Sequence, residues 1–117
     1  MNLAKLLMDT AVEDSKVLVT NQEVGDRPDI PRDIEFRFYA KTEERAKLVA
    51  GFVTDYRYGR PAVERFEHDG VVRWMLLVTI HSPTTENVVM TLSAFMVCLS
   101  QLYDLYYDGW ESSIERG

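Results

Sequence analysis

The chain has 117 residues and a net charge of −6, from 19 acidic and 13 basic side chains, so its surface repels phosphate backbones and counts against nucleic acid as a partner. Apolar residues make up 46% and charged residues 27%, a balance that excludes intrinsic disorder and supports one ordinary domain with a core of its own, spanning residues 1–117. The single cysteine, Cys98, excludes an internal disulfide and suits a reducing compartment.

The first residues form no signal peptide, because the apolar stretch from Leu3 to Met8 is short and acids follow at Asp9, Glu13 and Asp14. Leu3, Leu6, Leu7 and Thr10 share one side of a helix over 1–13. Asp14 reads as the N-cap of a second helix, in which Val17, Leu18, Asn21 and Val24 keep helical spacing and Gly25 supplies the stop. Pro28 and Pro31 block helix and ladder alike, so 26–31 is a linker and 1–31 as a whole is a helical arm.

A core over 32–114 follows. Ile34, Phe36 and Phe38 alternate with Glu35, Arg37 and Tyr39, the pattern of a half-buried strand over 32–40. Thr42 caps a helix ending near Asp55, with Glu43 and Glu44 in its first turn and Ala46, Val49, Ala50 and Val53 on its apolar stripe. Gly59-Arg60-Pro61 is a turn. Residues 62–68 form a strand whose charges Glu64, Arg65 and Glu67 suit an edge. Asp69-Gly70 signals a hairpin. The strand over 71–81 is apolar on both faces, Trp74, Leu76, Val78 and Ile80 on one and Met75 and Leu77 on the other, which suits a central position. Ser82 caps a helix with Pro83 at its first position, running to about Tyr103 with Val88, Leu92, Phe95, Leu99 and Leu102 inward. A final strand covers about 105–114. The order is that of an α+β, ferredoxin-like βαββαβ sandwich: a four-stranded antiparallel sheet with two helices on one face, plus the extra N-terminal helix.

No residue pattern resembles an active site. His68 and His81 have no cysteine or second histidine at ligand spacing, so no metal is expected. Glu64 and Glu67 point to opposite faces of their strand, and Asp104 and Asp108 straddle a helix end and a turn; neither is a natural acid–base pair. The glycines are dispersed and form no phosphate-cradling loop, so no cofactor is expected. An RNA-binding sheet face would offer Tyr39, Arg37, Arg73, Met75 and Leu77, one aromatic and two arginines on an acidic protein.

Surfaces carry more information. From Asn87 to Tyr103 the last helix holds no charge, and Met90, Ala94 and Val97 lie away from its inward face. Either the N-terminal helix covers this stripe or a second chain does, a homodimer being one form of the latter. Residues 84–117 hold five acids, Glu86, Asp104, Asp108, Glu111 and Glu115, against Arg116 alone, so a basic partner surface can read this end of the chain. The expected contact surface is therefore Met90, Ala94, Val97, Asp104, Asp108 and Glu111. The longest charge-free stretch is short for a bilayer span, and a cytoplasmic location without membrane contact is expected.

Four segments in this order carry a family resemblance: Asp14-Ser15-Lys16-Val17-Leu18, Gly25-Asp26, Pro31-Arg32-Asp33-Ile34-Glu35-Phe36 and Tyr107-Asp108-Gly109-Trp110-Glu111. The chain resembles the regulators of ribonuclease E activity, type B, over about residues 14–114, with Tyr107-Asp108-Gly109-Trp110 the most specific part. The resemblance implies a ferredoxin-like fold and a non-enzymatic regulator that binds a ribonuclease, ribonuclease E in the type member, and inhibits it by protein–protein contact. The final helix is less polar than in the type member. Gly109 can permit a bulge and Trp110 can fill a core end, so these matches also admit a structural reading. The alternative function on the same fold is an acidic, immunity-type module neutralising an unrelated protein.

Overall fold

The structure, a computed structural model, describes residues 2–117. Seven elements follow one another: α1 (Leu3–Glu23), β1 (Arg32–Ala40), α2 (Glu43–Asp55), β2 (Arg60–His68), β3 (Val71–Ser82), α3 (Glu86–Leu102) and β4 (Tyr106–Ser112). The strands form one four-stranded sheet in the order β2-β3-β1-β4, with every neighbouring pair antiparallel. The class is α+β, as expected, with three helices. β3 is central and the charged β2 lies at an edge.

Alternation sets the core. Ile34, Phe36 and Phe38 of β1 and Leu76 and Val78 of β3 are fully buried, and Ala46, Val49 and Val53 of α2 and Val89, Met96 and Leu99 of α3 close over them in one cluster. Burying side chains of this size stabilises the fold by about 1.5–3 kcal/mol each. α2 and α3 therefore cover one face of the sheet, and α1 packs on α3. Among the described residues no helix packs against the opposite face, which carries Arg37, Tyr39, Met75 and Leu77.

Asp69-Gly70 makes the expected two-residue hairpin. Both residues have positive φ, 51° and 75°, as a type I′ turn requires. Asp104 also has positive φ, 55°, just beyond α3, where the Leu105 N–H donates to the Ser100 carbonyl at 2.8 Å. It thus ends the helix in the left-handed conformation that Asp tolerates better than most residues. Gly109 (φ 88°) lies in a β-bulge: Phe36 pairs with Trp110 and Phe38 with Tyr107, so Asp108 and Gly109 together face Arg37. A Cβ on Gly109 would meet open space, so only backbone strain opposes substitution. Gly109→Ala is expected to cost about 1–2 kcal/mol in chemical denaturation, without changing the slope of the unfolding curve.

Several boundaries depart from the sequence reading. α1 is one helix of 21 residues, N-capped by Asn2, whose side chain accepts from the Lys5 N–H at 3.1 Å. Asp14 is therefore no N-cap; it sits mid-helix on the buried face, because its carboxylate has a tertiary partner. Ser82 does not cap α3. β3 runs through Ser82, and α3 starts at Glu86 after Thr85, since Thr84 is drawn to the linker by its N–H bond to the Pro28 carbonyl, 2.9 Å. β2 begins at Arg60, with Pro61 tolerated because the strand is an edge. The inward face of α3 is rotated from the expected one: Ser93 and Met96 are buried, while Leu102 is 77% exposed.

Candidate functional site

The signature segments converge on two buried polar clasps. In the first, the Asp26 carboxylate pairs with the Arg32 guanidinium, both side chains being almost wholly enclosed. Arg32 also donates to the carbonyls of Ser113 (2.9 Å), Arg27 (2.6 Å) and Ile30 (3.1 and 3.2 Å). The Glu115 N–H donates to Asp26 Oδ1 at 2.9 Å. Burial alone would raise the Asp26 carboxyl; the Glu115 N–H and the Arg32 guanidinium outweigh it and hold it below the usual carboxylate range. This clasp ties the linker, β1 and the C-terminal segment together.

In the second clasp, Trp110 Nε1 donates to Asp14 Oδ1 at 2.9 Å, bridging β4 and α1. Ser93 of α3 hydrogen-bonds the Tyr107 hydroxyl at 3.0 Å. Burial pushes the Asp14 carboxyl upward, against the Trp110 hydrogen bond and the nearby Ser93 hydroxyl, and Asp14 Oδ2 is buried without a partner. Burial likewise raises the Tyr107 phenol. Asp14, Asp26 and Arg32 are buried, while Trp110 and Tyr107 are half-buried and Tyr107 also lines the concavity described below. Asp14, Asp26, Arg32 and Trp110 hold the arm to the core.

The six residues expected at a contact surface separate into two groups. Val97 is 1% exposed, and Met90 and Ala94 are half-buried on α3, the helix against which α1 packs. Asp104, Asp108 and Glu111 are exposed. Asp104 stands apart at the end of α3, beside Arg45 at 3.9 Å. Asp108 and Glu111 come together on β4 with Glu35 of β1 around Arg37, which donates to Glu111 at 2.9 Å. Glu35 and Glu111 are directly paired across the two strands, a like-charge arrangement that disfavours the ladder. Beyond them Asp33 accepts from His81 and Arg60, at 3.0 and 2.9 Å, and these partners hold its carboxyl below the usual range.

The opposite end of the same sheet face is aromatic. Tyr39 and Phe66 rings lie 5.6 Å apart, and Phe66 and Tyr106 are 40% and 65% exposed. They border a concavity of about 760 Å³ that continues around the start of β4 to Leu6 and Thr10 of α1 and Val97 of α3. Phe66 and Tyr106 escaped the sequence reading. The hairpin contained the signal for the first, since a two-residue turn at Asp69-Gly70 puts Phe66 opposite Arg73 and so on the uncovered face. Among the described residues no group of three or more His, Cys, Asp or Glu side chains is arranged to hold a metal ion, and no helix is long and apolar enough to cross a membrane.

No curated protein matches the chain. The family model described as regulator of ribonuclease activity B matches residues 11–112, a span that takes in both clasps' α1, β1 and β4 members and the whole sheet. The chain belongs to the regulator of ribonuclease activity B family.

Proposed function

We propose that this protein restrains a ribonuclease by docking on it through the uncovered sheet face, without chemistry of its own, in the cytoplasm. The strand order read from the other edge, β4-β1-β3-β2, supports a ferredoxin-like sandwich, a fold that leaves one sheet face free for a partner. The observation that carries the reading is the Glu35–Glu111 pair with Asp108 beside it. Like charges directly opposite cost folding stability, and a basic partner surface turns that cost into attraction. The overall charge of −6 favours a basic protein surface over RNA on this face.

The test is inhibition of ribonucleases purified from the same organism. Glu35→Lys with Asp108→Lys is expected to weaken inhibition about ten- to a hundredfold at low salt, chiefly through slower association, with the difference shrinking as salt is raised. Both side chains are surface groups, and relieving the Glu35–Glu111 repulsion keeps the variant folded. Unchanged inhibition by the variant, or a wild-type protein that binds no ribonuclease, overturns the reading. Met90 and Ala94 are half-buried on the helix that α1 packs against, which leaves little apolar area there for a homodimer; light scattering at working concentration is expected to give a monomer mass.

A further inference from the structure

The acidic end of the sheet face leaves the aromatic end without a role, and the two ends differ in charge as well as in shape. Tyr39, Phe66 and Tyr106 border the concavity, and its volume of about 760 Å³ falls within the range of sites that enclose a ligand of several groups. Five acidic or basic side chains line it or its rim besides the aromatics. Asp104 has a cation of its own, Arg45 at 3.9 Å, and Asp69 lies 3.3 Å from the His68 imidazole. Lys41 and Arg73 have no carboxylate partner among the described residues; Arg73 donates only to the Val72 carbonyl, at 3.0 Å. On a chain of net charge −6, this groove balances Lys41 and Arg73 against Asp69 and Asp104, and both of its cations lack an ion-pair partner among the described residues.

We infer that the groove between Tyr39, Phe66, Tyr106 and the start of β4 binds a short peptide segment of the partner in which apolar or aromatic side chains alternate with carboxylates, the carboxylates meeting Lys41 and Arg73. The inference rests on the docking reading above and adds a second, oppositely charged contact to it. Exposed rings that pack against one another present rigid apolar area at small entropic cost, which suits side-chain capture. A carboxylate fits better than a phosphate. Neither cation is buried, Lys41 being exposed and Arg73 half-buried, so each can meet a singly charged carboxylate, whereas a doubly charged phosphate is held best by an enclosed set of donors. The groove and the acidic cluster share β1 and β4, so one partner can span both with a basic surface and an acidic–apolar segment.

The experiment uses the full chain, isotope-labelled, titrated with a twelve-residue peptide alternating Phe or Leu with Glu, with its Lys-for-Glu counterpart, with uridine monophosphate and with octanoate. The acidic peptide is expected to shift the amide resonances of Tyr39, Phe66, Arg73 and Tyr106. The Lys peptide and the nucleotide are expected to bind at least about tenfold more weakly, and Lys41→Glu with Arg73→Glu to weaken the acidic peptide by about tenfold or more. Phe66→Ala, which keeps both cations, is expected to weaken the acidic peptide as well. Spectra of the free variants confirm that each is folded. Equal binding of the two peptides, preference for the nucleotide or for octanoate, or shifts confined to other surfaces overturn the inference. Ribonuclease inhibition measured on the same variants separates the two readings. If the charge-reversed groove still inhibits and the acidic peptide fails, the groove assignment falls and the docking reading stands. If the acidic peptide binds as expected but no ribonuclease is inhibited by the wild type, the docking reading falls and the groove assignment stands.

Discussion

Arg32→Ala is expected to lower stability by about 3–5 kcal/mol, because it removes one partner of an enclosed ion pair and leaves the other charge buried. The Arg32 guanidinium holds Asp26 and the carbonyls of Arg27, Ile30 and Ser113 at once, so its loss strands acceptors on the linker and on the C-terminal segment. Only the Glu115 N–H remains on Asp26 Oδ1, and Asp26 Oδ2 already lacks a partner. A loss of this size corresponds to a melting temperature lower by roughly 10–20 °C for a domain of this length. The pH dependence gives a second readout. The folded Asp26 carboxyl lies below its ordinary value, so its contribution is fully present above about pH 4 and is lost as pH falls through the folded value. The wild type therefore loses stability on acidification through this group, and Arg32→Ala, with its Asp26 no longer held down by a cation, is expected to show a shallower acid limb. Thermal melts between pH 3 and 7 measure both. Replacing Arg32 and Asp26 together by Met and Leu removes both charges and is expected to recover much of the loss, which a single-site effect on the linker would not.

The two clasps show where sequence reasoning reached and where it stopped. Strand β1 was legible to the residue, because period-two alternation from Ile34 to Phe38 reports burial directly. The β2–β3 hairpin was legible because Asp69-Gly70 adopts the backbone its turn requires. Asp14 was misread for a physical reason. Asp before an apolar periodic run is the signature of an N-cap, and the residue's actual role depends on Trp110, 96 positions away. Arg32 carried no signal of burial at all, because an arginine opening a strand is ordinarily solvated and its enclosure depends on three backbone segments meeting. Val97 follows the same logic: its stripe on α3 was visible, but what covers it depended on α1 being one continuous helix. The uncovered sheet face was half legible. Arg37, Tyr39, Arg73, Met75 and Leu77 follow from alternation, whereas the clustering of Glu35, Asp108 and Glu111 depends on the bulge at Gly109, which shifts β4 by one residue against β1. The segments that carry the family resemblance thus hold two kinds of residue: Arg32 and Trp110 bind the arm to the core, whereas Glu35, Asp108 and Glu111 stand together at the acidic end of the uncovered face.

Trp110→Phe separates those two parts. The substitution is expected to cost about 2–4 kcal/mol, combining lost ring volume with a buried carboxylate deprived of its strongest donor. Asp14 is 5% exposed, and its raised carboxyl means that the folded state binds the proton more readily than the unfolded chain. Stability contributed by this group therefore falls as pH rises from the ordinary carboxylate range to the raised value, the reverse of Asp26. Asp14→Asn keeps an acceptor for Trp110 Nε1 and turns the orphaned oxygen into a donor that Ser93 can accept. It is expected to be as stable as the wild type near pH 4 and more stable by about 1 kcal/mol at pH 7. Asp14→Leu with Trp110→Phe removes both ends of the bond. It is expected to cost less than the sum of the single changes, because no buried charge is left without a partner. Denaturant unfolding of these variants and of Asp14→Leu alone at pH 4 and 7 completes the cycle. Under the proposed docking function, neither Asp14 nor Trp110 points to the uncovered face, so every variant still folded at assay temperature is expected to match the wild type in ribonuclease inhibition. Loss of inhibition by a folded Trp110→Phe protein would instead place Trp110 in the contact surface, and the scaffold role assigned to the motif would be wrong.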